Sequence, residues 1–368
     1  MKTRHLVLSG LTALSFAFVG CGGSSDGGGA SSSTVAIDDV PKLYAQALCS
    51  AQKKCFGDVL DLFLAGESCT ANFETAIGDE LPKIKQGIDD GTVSYDGTKM
   101  QACFDAIAAR GCNLEGEPPE CTAAIDGTVA IGGDCQMNVE CAGADTYCKS
   151  SGTCPGACAK REQAGSDCNH DDDCAAGLKC SGTTSKCVKP AAAGEACGGG
   201  GTAPDCQSGT FCVGSDDQGK VTGTCDTVDQ AFSGKQGDEC YFGGKPLCTT
   251  DLRCIVESVD TTTGSITAKC GPPVSSGAAC KVSLVDACPA DEYCKVPQNM
   301  LDGTCTPKPK SGEACVQVFE DPICGPGLRC DDGTCRPLQH LGASCAGDDV
   351  CYSGNCVGGG CVSAGGCQ

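Results

Sequence analysis

Cysteine dominates the chemistry available to this chain, with 37 in 368 residues against three histidines and no tryptophan. So much sulfur can bind metal, run thiol redox chemistry or staple the fold. Zinc ribbons, thioredoxin-like redox sites and c-type heme attachment require a Cys-x-x-Cys clamp. That spacing does not occur, and the tightest is Cys154-x3-Cys158. Beyond the first few residues only His170 and His340 remain, both in loop-like surroundings that read as solvated surface. A hydrolase triad therefore lacks its base and a zinc protease its ligands. Gly23-Ser24-Ser25-Asp26-Gly27 matches a nucleophile elbow formally, with no strand before it and no helix after. Residues 198–203 match a dinucleotide fingerprint but lie inside a cysteine-bounded loop. Asp171-Asp172-Asp173 offers oxygens of the kind Ca²⁺ takes, but without a Gly turn and a distal Glu it reads as a solvated acidic tip. We expect no catalytic, cofactor or metal site, and no enzyme.

Stapling is the use that remains. About one cysteine in nine or ten marks an oxidised, extracytoplasmic scaffold. With 10 Phe, 6 Tyr and 53 Gly, one large core is not credible, and small domains that bury too little surface use covalent links instead. The formal charge is −21, and −23 once Lys2 and Arg4 leave with an export signal. A surface this acidic repels nucleic acid and anionic headgroups, so neither is an expected partner; its main role is solvation.

Internal repeats set the organisation. Gly-x-x-Cys recurs seven times from Gly132 onward, ending at Cys135, Cys168, Cys197, Cys240, Cys280, Cys315 and Cys345. Three more cysteines follow each. Five residues lie between the second and third in the middle five units, six in the first (Cys141, Cys148) and four in the last (Cys351, Cys356). The opening Gly permits the positive φ of a tight turn, the residues before the third cysteine suit a strand, and the Gly-Thr-Cys around the fourth reads as a turn entering another. Each unit is thus expected to be one short β-hairpin pinned by two disulfides. The segment between third and fourth cysteines runs from 4 to 15 residues, as exposed loop tips do. Spacing alone allows all three connectivities per tetrad. Cys158 and Cys367 each follow a complete tetrad and are left over, either paired with each other or with one free.

Residues 135–187 (CQMNVECAGADTYCKSSGTCPGACAKREQAGSDCNHDDDCAAGLKCSGTTSKC) resemble the N-terminal cysteine-rich domain of Dickkopf proteins, with nine cysteines where that family has ten. The absent one belongs to an adjacent Cys-Cys pair, where this chain has Asp173-Cys174, and Cys154-x3-Cys158 is one residue wider than the family's form. The family's crossed pairing implies Cys135–Cys148 and Cys141–Cys154, and likewise Cys168–Cys180 and Cys174–Cys187. Dickkopf domains are secreted Wnt-pathway antagonists that act by binding; the resemblance implies scaffold and binding role, not the target.

Residues 35–131 differ. Val40, Leu43, Tyr44, Ala47 and Leu48 fall at helical spacing, with Asp38 or Asp39 as N-cap and Pro41 in the first turn. Residues 59–64 and 71–77 also read as helical, and residues 99–110 as a fourth helix ended by Gly111. Six cysteines here (Cys49, Cys55, Cys69, Cys103, Cys112, Cys121) predict a small α-helical domain held by three disulfides.

The amino terminus reads as an export signal. Lys2 and Arg4 precede a 14-residue apolar stretch, residues 6–19, too short for the roughly 20 residues a membrane span needs. It ends in Phe18-Val19-Gly20-Cys21, which resembles the lipobox of bacterial lipoproteins and implies cleavage before Cys21 and acylation of it. Removing Cys21 leaves an even 36 cysteines. Residues 22–33 are a Gly/Ser-rich tether, and Gly22 points to the outer membrane by resemblance to the enteric sorting rule. The expected chain has a signal at 1–20, a tether at 21–34, a helical domain at 35–131, a Dickkopf-like double unit at 132–190 and five further repeats at 191–368. It is expected to be an envelope-anchored binding or adhesive module for an unknown protein or glycan, with a structural stalk as the alternative.

Overall fold

In a computed structural model the described residues are 34–361, except 65–66, 113–117, 144, 150–154, 199–202, 216–220, 241–245, 261–264, 284–286, 298–299, 319–320, 332, 346, 348–349 and 354–355. A helical region is followed by many short antiparallel strand pairs, and 17 disulfides staple the described residues. The expected fold class, disulfide-rich hairpin repeats after a disulfide-stapled helical region, is what forms. No helix among the described residues is long and apolar enough to cross a membrane.

The helical region contributes α1 (Val40–Phe56), α2 (Val59–Leu64), α3 (Cys69–Asp90), α4 (Gly97–Ala109) and α5 (Pro119–Ala124), and a short helix, Val228–Ala231, lies among the repeats. Their apolar spacing buries Val40, Tyr44, Ala47 and Leu48 of α1 against Ile77 and Ile84 of α3 and Met100, Phe104 and Ile107 of α4. Tyr44 meets Phe104 edge-on at 6.5 Å. A two-stranded sheet, β1 (Val93–Tyr95) and β2 (Ile125–Gly127), closes this core, with Tyr95 opposite Ile125. The six cysteines pair as Cys49–Cys69, Cys55–Cys112 and Cys103–Cys121.

Two local readings change. Asp38 and Asp39 sit in a 3-10 turn, Ile37–Asp39, leading into α1, and the Asp38 carboxylate accepts from Lys85 of α3. Helix α3 runs to Asp90 rather than stopping at Ile77. Gly78 and Pro82 both disfavour a helix interior, yet Ile77, Ile84 and Ile88 continue one core-facing stripe through them. Tertiary burial outweighs local propensity there. Ser68 caps the start through Ala71 N–H at 3.2 Å, and Gly91 ends it at φ 76°.

All seven repeats share one frame. The turn glycine of each (Gly132, Gly165, Gly194, Gly237, Gly277, Gly312, Gly342) has φ between 68° and 88°. A Cβ at these positions would meet no atom within 4 Å, so backbone conformation rather than space demands glycine. The fourth cysteine's N–H donates to the carbonyl just after that glycine, at 2.8–3.0 Å in every unit. Third and fourth cysteines stand opposite on the hairpin, as Cys212 and Cys225 do. Disulfides join first to third and second to fourth, as in Cys168–Cys180 with Cys174–Cys187 and Cys135–Cys148 in repeat 1.

Repeat 1 corrects one implied pairing. Cys141 bonds to Cys158, not Cys154, which lies outside the described residues. Cys158 donates to Gly133 and faces Cys148, the two relations that define a fourth cysteine in every other unit. It is therefore a frame residue and not a leftover, and it does not pair with Cys367. The cysteines outside the described residues are Cys21, Cys154 and Cys367.

The chain forms two compact units. One comprises Phe56–Glu67 and Ala191–Leu338, so α2 belongs with repeats 3–6. The other comprises the described residues of Lys2–Cys55, Ser68–Pro190 and Gln339–Gln368, so repeats 1, 2 and 7 belong with the other helices.

Candidate interaction surface

The residues singled out by their chemistry have partners within the fold where they are described. Asp171–Asp173 forms a 3-10 turn with Asp172 buried, not a solvated tip. Asp171 Oδ1 accepts from Cys180 N–H at 2.8 Å, and Asp173 Oδ2 from the N–H of Asn169 at 2.7 Å and of His170 at 3.1 Å. Repeat 1 uses Asn138 and Glu140 in the same places: Asn138 Oδ1 accepts from Cys148 N–H, and Glu140 from the N–H of Gln136 and Met137. The shared Cys-x-x-(Asn/Asp)-x-(Glu/Asp)-Cys pattern was the available signal, and it encodes a turn cap rather than a cation loop.

Between repeats 1 and 2, Arg161 is buried, with Nη1 donating to the Asp172 carbonyl. Burial pushes its guanidinium down from its ordinary value, and nearby Asp172, Asp145 and Asp173 oppose that. Its Nε and Nη2 are sealed from solvent and find no hydrogen-bond partner among the described residues.

His340 is not simply a solvated side chain. Its Nδ1 lies 2.6 Å from Asp79 Oδ1 of α3, and its ring lies 5.1 Å from that of Tyr352. This Asp–His pair is the nearest approach to a catalytic dyad. Ser353 Oγ is buried without a hydrogen bond among the described residues, so His340 does not accept from it there. Trios of cysteine sulfurs within 4.8 Å, such as Cys135, Cys141 and Cys158, are disulfide-bonded and lack the thiolate that zinc requires. Gly198 ends a strand of repeat 3, which is the role of that glycine-rich stretch where described; residues 23–27 lie outside.

In the unit of repeats 3–6, Phe63 of α2 stacks on Phe211 at 5.9 Å, and both meet Phe232 edge-on at 5.8 and 5.3 Å. Glu67 accepts from Gly327 N–H at 2.9 Å and lies 4.0 Å from Arg329. The apolar spacing of residues 59–64 was legible; the partner of that face was not.

Among the described residues four large apolar side chains are well exposed, and three lie between the third and fourth cysteines of consecutive repeats: Val221 at 53%, Val259 at 39% and Met300 at 60%. Ile131, before the first turn, is the fourth. The longest segment, in repeat 4, is a hairpin of strands Arg253–Asp260 and Ser265–Gly271. No family model, no curated protein and no solved structure matches this chain.

Proposed function

We propose that the chain is an exported lipoprotein, held at the outer membrane through lipid on Cys21 and facing the periplasm or cell surface. There it acts as a non-enzymatic binding or adhesive module for a protein or glycan. The supporting observation is the placement of Val221, Val259 and Met300: one rigid frame presents apolar contact groups on its most variable segments. Binding proteins place contacts on loops held by a scaffold. The resemblance of residues 135–187 to Dickkopf domains, which act by binding, points the same way.

A stalk is the second reading. A linear spacer separates its first and last modules, whereas repeat 7 contacts α3 through His340 and Asp79, 261 residues apart. This favours the binder. Replacing residues 216–221 and 257–265 by short Gly/Ser turns, which spares the buried Val256 and Ala268 and the paired residues Thr222–Thr224, is expected to leave the disulfide map and melting temperature nearly unchanged, since loop length contributes only about 0.6 kcal/mol per doubling. Recovery of partner from envelope fractions by the oxidised protein should fall at least tenfold; unchanged recovery would favour the stalk.

Anchoring has its own test. Two or three acyl chains hold firmly where one is marginal, at about 0.8 kcal/mol per buried CH₂. Cys21→Ser is expected to abolish labelling by a fatty-acid analogue and to leave the protein as retained precursor or soluble. Equal labelling of the variant would refute the anchor.

A further inference from the structure

Six joints connect the seven repeats, and five of them have one length. Three residues separate a fourth cysteine from the residue that anchors the next repeat beside its second cysteine. Ala191 follows Cys187 in this way and accepts from Gln207 N–H, and Pro309 follows Cys305 and accepts from Gly325 N–H. Between repeats 3 and 4 the spacing is eight residues, 226–233, from Cys225 to the anchor Gly234. Each added residue brings two soft backbone dihedrals, so this joint needs contacts of its own to hold one orientation.

The joint has them on both sides. Its residues form the short helix Val228–Ala231, and Val228, Ala231 and Phe232 are buried. Towards repeat 4, the Ala231 carbonyl accepts from Leu247 N–H at 2.6 Å and Gly234 N–H donates to Leu247 at 2.9 Å. Towards repeat 3, Phe232 meets Phe211, the residue before the third cysteine. The half-buried Phe63 of α2 closes on both rings, and Phe56, at the end of α1, meets Phe211 at 6.2 Å. Four residues after Phe63, Glu67 accepts from Gly327 N–H of repeat 6. Four residues reach at most about 14 Å. One short segment, Phe56–Glu67, therefore ties repeat 3, the long joint and repeat 6 together within one compact unit.

The exposed Val221 lies before this joint, and the exposed Val259 and Met300 lie beyond it. We propose that Phe56–Glu67 is a strut, with Phe63 its main positioning residue, that fixes the long joint and so sets where Val221 stands relative to Val259 and Met300. Contact groups held in place lose less freedom on binding. Releasing the joint thus weakens binding without removing any contact group. The proposal rests on the binding reading above and adds what controls that face.

The test uses the intact oxidised protein carrying pairs of spin labels on ketone-bearing residues, so that no thiol is engaged. One pair replaces the exposed Ala193 and Gln236, across the long joint; the other replaces the exposed Ser275 and Ser311, across a three-residue joint. Phe63→Ala is expected to at least double the width of the 193–236 distance distribution, with the 275–311 distribution and the disulfide map unchanged, and to lower recovery of envelope partner at least tenfold. Phe63→Tyr, which keeps the ring, should retain the width and recovery of the unmodified protein. Phe63→Leu should widen the joint by a smaller factor, and it replaces the alanine variant if that one scrambles the disulfides. A 193–236 distribution that stays narrow, or equal widening of both pairs, would overturn the strut. A widened long joint with undiminished recovery, alongside loss of recovery in the double loop replacement, would overturn its control of binding while leaving the binding reading standing. If the double loop replacement also spares recovery, both fail.

Discussion

Reduction of the oxidised protein is expected to erase the strand signal of all seven repeats while the helical region keeps part of its structure. The difference lies in what each core is made of. The buried cluster of repeat 1 is Cys135, Cys141, Cys148 and Cys158, and that of repeat 5 is Cys280, Cys288, Cys294 and Cys305. Breaking these bonds removes the cross-links and turns most of the apolar interior into mobile thiols. The bonded residues in the repeats are 10 to 22 positions apart, and loops of that size contribute about 3 kcal/mol each. A unit of some thirty residues has little else with which to offset its chain entropy. The helical region buries Tyr44, Leu48, Ile77, Ile84, Met100, Phe104 and Ile107 around its three disulfides, a core that survives in part without them. Far- and near-ultraviolet circular dichroism with limited proteolysis, before and after reduction, reads the outcome. Protease-resistant repeats in the reduced protein would contradict it.

Replacing Glu80 by glutamine is expected to stabilise the protein at neutral pH. Glu80 is half-buried on α3, between the core residues Ile77 and Ile84, and makes no hydrogen bond among the described residues. Burial pushes its carboxyl up from 4.5 to about 7; Lys83 pulls it back and Asp79 adds to the rise. The folded state thus holds a proton at pH values where the unfolded chain has released it. Stability from this group is fully present below pH 4.5 and is lost as pH rises towards 7. The shift corresponds to roughly 3 kcal/mol. At pH 7.5 the neutral glutamine avoids that penalty, so Glu80→Gln should raise the denaturation midpoint of the helical region, with an advantage that shrinks steadily down to pH 4.5. A pH-independent difference between the two proteins would show that the carboxyl does not titrate across this window.

These two expectations differ in how far sequence alone supports them. Dependence on oxidation follows from cysteine spacing, aromatic scarcity and the turn glycines. Each is a local constraint: a Gly two residues before the first cysteine's predecessor needs no distant partner to adopt positive φ. For the same reason α1, α2 and α4 were legible from apolar spacing. The burial of Glu80 was not, because α3 continues past Gly78 and Pro82 only when its stripe of isoleucines has a core to enter.

The longest-range facts depended on the tertiary structure throughout. Three residues separate Cys154 from Cys158, and their spacing offers no basis for choosing between them as fourth cysteine. Hydrogen bonding to Gly133 and alignment with Cys148 decide for Cys158. The acidic run 171–173 looks like a hydrated tip until Asp171 accepts from Cys180 N–H, Asp173 from the N–H of Asn169 and His170, and Asp172 from the Asn138 amide. His340 acquires a partner in Asp79, and Phe63 acquires Phe211 and Phe232, across separations that no local pattern spans. Composition and spacing thus determined that this chain is a stapled array of hairpins behind a helical region, because turns, strands and cross-links are encoded within a few tens of residues. Which cysteine completes repeat 1 and which repeats accompany which helices were decided only by packing, where the contacts that matter are set by distance in space.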